Sequence, residues 1–176
     1  MTLSYSTRWP DKMGELAGQP TYFTNKIMKS MWIHYPELTS NFVFDRSDEE
    51  KKRFEEIDPF EDLTVHETKN LIPKLHTIRR GQRWKKGMKI HMVINNRTEK
   101  RFQFTPVLEC TGVQDVEIKF TNPGFYHPTW VDGELLNIHS LKKLAVNNGF
   151  LYVDDFFRFF NSYFSGQIVH WTDIRY

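Results

Sequence analysis

The sequence predicts an α+β fold: a curled or closed sheet of short strands with a few helices at its periphery. Three observations carry that expectation. From Thr77 onward the chain alternates polar with β-branched or apolar residues, the period of half-buried strands. The stretch "SDEEKKRFEEI" puts Ser47 ahead of three acids and spaces Glu49 and Lys52, and Glu50 and Arg53, three apart, as a surface helix does. The stretch "YVDDFFRFFNSYF" sets Val153, Phe156, Phe157, Phe160 and Phe164 along one helical face. At 176 residues, 39% hydrophobic and 26% charged, the chain is expected to form one folded domain over 1–176.

The elements follow in order. Residues 1–20 hold Pro10, Gly14, Gly18 and Pro20 and read as an irregular arm, pinned to the body by Trp9. In "TYFTNKIMKSMW", Phe23, Ile27 and Met31 recur every four residues, so a short amphipathic helix is expected with Thr21 as its cap. The acidic helix follows, with Phe54 and Ile57 as its only apolar contacts and Pro59 as its stop. "KIHMVINN" places Ile90, Met92 and Ile94 on one strand face, with "NNRTEK" as a turn. "RFQFTPVLECTGVQDVEIKF" reads as one or two strands bent at Pro106, and "NPGFYHPTWVDGELL" as a loop. "SLKKLAVNNGF" reads as a helix from Ser140 stopped at Gly149, and "GQIVHWTDIRY" as a closing strand.

Charge is unevenly spread. Residues 45–67 carry ten acids and four bases, a balance of −6, so the rest of this +2 chain carries +8. A mildly basic body can attract a phosphate chain, and surface lysines can equally serve solvation alone. Cys110 is the single cysteine, which excludes an intramolecular disulfide and a multi-thiolate zinc site and suits a reducing cytoplasm. In "VLECTGVQ" it reads as a small buried hydrophobe. No signal-peptide pattern opens the chain, and nowhere do about 18 apolar residues run together. The seven histidines form no HExxH pair, and there is no GxSxG elbow or glycine-rich phosphate loop. No metal and no cofactor are expected.

Cationic side chains concentrate in "PKLHTIRRGQRWKKGMKI", Pro73–Ile90. Pro73 biases the preceding residue toward extended backbone and forbids a helix through Lys74. In a strand, Lys74, His76 and Ile78 would face one side, and Leu75, Thr77 and Arg79 the other. Polar residues on both faces make a poor strand core and a good pocket rim. Lysine and arginine can hold a phosphate or a carbonyl, and a threonine hydroxyl can donate or attack. Arg80, Arg83, Lys85 and Lys86 could neutralise phosphates while Trp84 stacks a base. A solvated hairpin with Trp84 half-buried over the sheet end is the other reading.

"KLHTIRRGQRWKKGMKIHM" resembles the signature of the ASCH domain family, members of the PUA-like β-barrel fold. Lys74, Thr77, Ile78 and Arg79 match the lysine-to-TIR motif, and Gly87 with "MKIHM" matches the glycine and strand after it. "YFTNKIM" resembles the family's first helix, "LAVNNGF" its alanine-to-GF segment, Phe156–Phe160 the following helix and "GQIVHWTDIRY" the last strand. The likeness covers residues 22–33 and 72–176 and is nearest to uncharacterised bacterial and phage-borne ASCH-like proteins. Residues 34–71 then stand as an inserted acidic segment.

The resemblance implies a small barrel whose "KLHTIR" loop lines a cleft for RNA, a nucleotide or a modified nucleoside. It implies ligand-binding roles for Lys74, His76, Thr77, Arg79 and Asn148. Some small members are amidohydrolases that deacetylate 4-acetylcytidine, in which the matching lysine and threonine act at the amide beside a glutamate. Lys74 and Thr77 would be the catalytic pair here, but the glutamate position holds Asn148, which cannot serve as a general acid or base as a carboxylate does. Asp154 or Glu134 could supply that group from elsewhere. A third reading is a protein-interaction domain, because "FEEIDPFEDL" in the insertion mixes acids with apolar residues.

Overall fold

The computed structural model describes residues 1–57, 71–121 and 126–176, the side chains of 53–57 excepted. The contacts expected of Phe54 and Ile57, the stop at Pro59 and the start of the "NPGF" loop lie outside the described residues.

The fold is α+β, and the described residues form two sheets. In the first, β3 (Lys89–Ile94) is central: β1 (Thr2–Ser4) runs parallel along one edge, and β4 (Phe102–Gln103) and β5 (Leu108–Glu109) share the other. The second has the order β2 (His76–Arg80), β9 (Phe164–His170), β6 (Gly112–Ile118), β7 (Thr129–Val131), β8 (Glu134–Leu135). The helices among the described residues are α1 (Phe23–His34), α2 (Pro36–Phe44), α3 (Asp48–Ile57), α4 (Ile138–Asn147) and α5 (Val153–Phe159). No helix among the described residues is long and apolar enough to cross a membrane.

The sheets are not closed into a barrel by a continuous ladder; they meet at a corner of the chain. Cys110 N donates to Met88 O at 2.8 Å in the first sheet, and the next residue, Thr111, donates to His170 O at 3.0 Å in the second. Cys110 is fully buried there, as a small hydrophobe should be at a tight corner. The basic run consequently joins β2 of one sheet to β3 of the other, so it is a crossover and not a hairpin.

Local sequence explains most elements. Ile90, Met92 and Ile94 are all fully buried, as their alternation requires. On β6 the burial alternates along its whole length, whereas β9, between β2 and β6, is buried on both faces from Gly166 to His170. α3 opens with a capping box: Ser47 Oγ accepts from Glu50 N at 3.3 Å, and Glu50 Oε2 accepts from Ser47 N at 3.2 Å. Thr21 stands one residue before the cap of α1, and its Oγ1 accepts from Phe23 N at 3.3 Å. Phe23, Ile27, Met28 and Met31 bury the inner face of that helix.

Three segments differ from expectation. The arm is not wholly irregular: β1 pairs with β3, and a 3-10 turn spans Asp11–Leu16. The stretch after His127 is a hairpin, because Asp132 (φ 51°) and Gly133 (φ 87°) form the left-handed turn that an Asp-Gly pair favours between strands. The stretch after α1 contains α2, docked through the fully buried Thr39 and through the Tyr35 hydroxyl, which donates to Trp171 O.

Candidate functional site

The site begins at the end of α4. "NNGF" forms a Schellman cap: Phe150 N donates to Ala145 O at 3.0 Å, and Gly149 N donates to Val146 O at 2.8 Å. Gly149 adopts φ +96°, a conformation L residues rarely hold, and a Cβ there would lie 2.9 Å from the Phe23 ring and 3.2 Å from Lys74 Cδ. The cap turns the end of the helix toward two lysines. Lys26 Nζ donates to Gly149 O at 2.7 Å. Lys74 Nζ donates to Asn148 O and, at 2.8 Å, to Asn148 Oδ1. The same Oδ1 accepts from Ile78 N at 3.3 Å, which fixes the amide orientation.

Lys74 is 2% exposed, with its ammonium group 4.9 Å from the centre of the Phe23 ring. Burial, followed by the charges of Arg79 and Lys26, holds its pKa well below the ordinary lysine value. The Asn148 oxygens and the helix end favour the ammonium, by about 1.5–3 kcal/mol for each charged hydrogen bond. Desolvating an ion costs several kcal/mol, and two like charges add to that, so burial wins. Lys26, less deeply placed, is lowered to about 8 by burial.

Around Lys74 lies a cleft of about 200 Å³ lined by Lys74, Thr77, Arg79 and Asn148 and walled by Phe23, Phe150, Phe159 and Phe160. Its other wall is the N-terminal arm, through Tyr5, Arg8 and Trp9. Trp9 packs 5.1 Å from Phe23 and 5.4 Å from Phe150, ring centre to ring centre. Arg79 reaches back to donate to Ser4 O at 2.7 Å, with its guanidinium 5.0 Å from the centre of the Tyr5 ring. Thr77 and Arg79 lie beside the buried Tyr5 hydroxyl, yet among the described residues no hydrogen bond of ordinary geometry reaches that hydroxyl or Arg79 Nε. Burial pushes the Tyr5 phenol up to about 12 against the pull of Arg79. None of the described lining residues is a carboxylate, so among them the cleft offers donors and expects an acceptor.

The expected residues divide into three groups. Lys74, Thr77, Arg79 and Asn148 come together in the cleft. Alternation had put Lys74 on the face of His76, but the strand begins only at His76: Lys74 N bonds Lys26 O at 3.0 Å and Leu75 N bonds Asn147 O at 2.8 Å, outside the ladder. His76 leaves the cleft and points into a second buried cluster, where its Nε2 is 2.7 Å from the Tyr176 hydroxyl and its ring centre 5.5 Å from that of His170. Arg80, Arg83, Lys85 and Lys86 are exposed and outside the cleft lining. Trp84 is 6% exposed inside the core, with its backbone N–H held by Gln167 Oε1 at 3.0 Å, so it offers no face for a base to stack on.

Neither candidate acid fills the glutamate role. Glu134 is exposed on β8, and Asp154 lines a separate groove with His127 and Arg158. Among the described residues no carboxylate pairs with Lys74. No group of three or more histidine, cysteine or acidic side chains among them is arranged to hold a metal ion. Tyr5, Arg8 and Lys26 were missed by sequence reasoning, and Trp9 was read only as the pin of the arm. The turn-rich arm hid the first two, and Lys26 follows Asn25 with no pattern of its own.

Comparisons of the chain with protein-family models, curated proteins and solved structures find no match.

Proposed function

We propose that this chain is a PUA-like domain of the ASCH type that binds a nucleotide or modified nucleoside in the Lys74–Thr77–Arg79–Asn148 cleft. The observation that carries the reading is the convergence of these four motif positions, from the start of β2 and the end of α4, on one aromatic-walled cleft with no carboxylate among its described lining residues. Donors at Arg79, Tyr5 and Thr77 suit the carbonyls and phosphate of a nucleotide. The Trp9 and Phe150 rings supply apolar walls for a base. At about 200 Å³ the cleft is smaller than the roughly 300–1,000 Å³ of drug-sized sites, so it suits one base or nucleoside and not a duplex. A cytosolic setting fits the single buried thiol of Cys110. A thermal-shift panel of nucleosides and nucleotides tests the reading. A true ligand at 100 times its Kd adds about 2.7 kcal/mol, a rise of roughly 5–10 °C for a domain of this size. A flat panel counts against it.

Hydrolysis of a 4-acetylcytidine-like amide is the second reading, favoured by one observation: a buried lysine, whose pKa burial lowers well below the ordinary value, shares the cleft with Thr77. Asn148 stands against it, because the position that needs a carboxylate instead offers an amide oxygen already engaged by Lys74. Incubation with 4-acetylcytidine, with cytidine followed by chromatography and Lys74→Ala as control, decides the point. Release no faster than in the variant removes this reading.

A further inference from the structure

Lys74 is placed unlike an ordinary binding lysine. Its Nζ has two acceptors, both on Asn148, and no carboxylate partner among the described residues. An uncharged amine has two N–H groups and one lone pair, so those two acceptors can satisfy both of its donors and leave the lone pair unused. The cationic side chains of Lys26 and Arg79 are close enough for their charges to bear on it. A desolvated lysine beside other cations is the arrangement that makes an amine nucleophilic toward carbonyl carbon.

The surroundings supply a second, independent observation. Among the described residues no hydrogen bond of ordinary geometry reaches Tyr5 Oη or Arg79 Nε, although Thr77 and Arg79 both lie close to that hydroxyl, and Tyr5 and Arg79 line the same cleft as Lys74. Unsatisfied buried donors call for an acceptor. The nearest match is a ligand with a carbonyl oxygen and an anionic oxygen close together, since the cleft holds only about 200 Å³. Arg8 adds a further positive charge to its lining.

We infer that Lys74 forms an imine with a small 2-oxo acid, whose carboxylate is held by Arg79. The Nζ lone pair attacks the carbonyl carbon, a C–N bond forms, and the carbonyl oxygen takes up a proton as the nitrogen loses one. Loss of that oxygen as water closes the C=N bond, so amine and carbonyl become imine and water with no change of oxidation state. Tyr5 Oη is the group in the cleft that can hydrogen-bond the carbonyl oxygen as it gains charge. This chemistry goes beyond nucleotide binding and stands without it.

The test uses the full chain with glyoxylate at neutral pH and cyanoborohydride, which reduces an iminium to a stable secondary amine. Peptide mapping then locates an added mass equal to glyoxylic acid less one oxygen. The expected result is modification of Lys74 at least tenfold faster than of the exposed Lys85 and Lys86 in the same sample, a comparison that needs no variant. Because Arg79→Gln also removes a charge that bears on Lys74, the reading is the ratio of the two aldehydes: the variant should lose at least tenfold more of the glyoxylate rate at Lys74 than of the rate with acetaldehyde, which has no carboxylate. Asn148→Asp should suppress capture of both aldehydes by placing a charge that keeps Lys74 protonated. Modification of Lys74 no faster than of Lys85 and Lys86 overturns the inference. Equal loss of both aldehydes in Arg79→Gln overturns the assignment of the carboxylate.

Discussion

Lys74 and Asn148, 74 residues apart in sequence, form one unit: the lysine Nζ donates to both the main-chain and side-chain oxygens of the asparagine, the latter at 2.8 Å. A helix cap therefore holds the deepest amine of the cleft, and the shape of the cleft depends on the cap.

Replacing that asparagine tests how the amine is held. In the wild type Lys74 sits well below its unfolded value of 10.5 and Lys26 at about 8, so between about 8 and 10.5 unfolding takes up protons. Stability should rise with pH across that window, by at most about 1.4 kcal/mol per pH unit for each lysine. Asn148→Asp pairs Lys74 with a carboxylate and returns its pKa toward 10.5. Urea midpoints at pH 8 and 9.5 should then converge in the variant, leaving only the slope due to Lys26. An unchanged slope would mean that Lys74 is charged already.

The second buried cluster sets the acid limit. Burial, followed by the charge of Arg175, lowers His170 to about 3 against the opposing pull of Asp132, and burial holds His76 well below its usual value. Below pH 6.5 the unfolded chain takes up protons that these rings refuse in the fold, so their stabilising contribution is lost as pH falls. The melting temperature should drop by roughly 3–6 °C per pH unit per histidine between pH 6.5 and 4.5. His170→Phe should halve that slope. A variant with the wild-type slope would locate acid sensitivity elsewhere.

Gly149→Ala should be among the most damaging small substitutions in the chain. A left-handed L residue costs about 1–2 kcal/mol, and the added methyl meets the Phe23 ring at 2.9 Å. Denaturant midpoints should register that loss together with weakened ligand binding, because Phe23 and Lys74 must both shift. Ala at the open Gly87 carries the backbone strain alone and serves as the reference.

How much of this was readable beforehand follows from the range of each interaction. Ile90, Met92 and Ile94, the Ser47 cap and the Gly149 stop are local patterns, and each stands as read. The cleft residues Lys74, Thr77, Arg79 and Asn148 were found through a motif likeness, which alternation alone did not supply. Alternation misplaced Lys74 because it assumed a strand two residues too early. Trp84 stood between two readings, a stacking face and a half-buried cover, because a tryptophan among cations gives no local sign of which face is buried; burial in the core removes the first. Trp9 was read only as the pin of the arm, which its packing on Phe23 and Phe150 bears out, while Tyr5 and Arg8 were out of reach, since the parallel pairing of β1 with β3 joins residues about ninety apart.

RNA binding through the crossover makes a separate prediction. If Arg80, Arg83, Lys85 and Lys86 contact four phosphates of a single strand, log K should fall with log salt at a slope of about −3. Charge reversal at Lys85 and Lys86 should abolish that binding while leaving nucleotide binding in the cleft intact. Filter binding of labelled single-stranded RNA at several salt concentrations measures it. Affinity independent of salt would remove the crossover from the interface.

Calorimetric titration of cytidine and cytidine 5′-monophosphate into the wild type, Arg79→Gln and Trp9→Ala measures binding in the cleft itself. Saturable one-to-one binding of at least one of these by the wild type is expected, weakened tenfold or more, about 1.4 kcal/mol, in both variants. Absence of saturable heat with either ligand, or equal affinity in all three proteins, would contradict it.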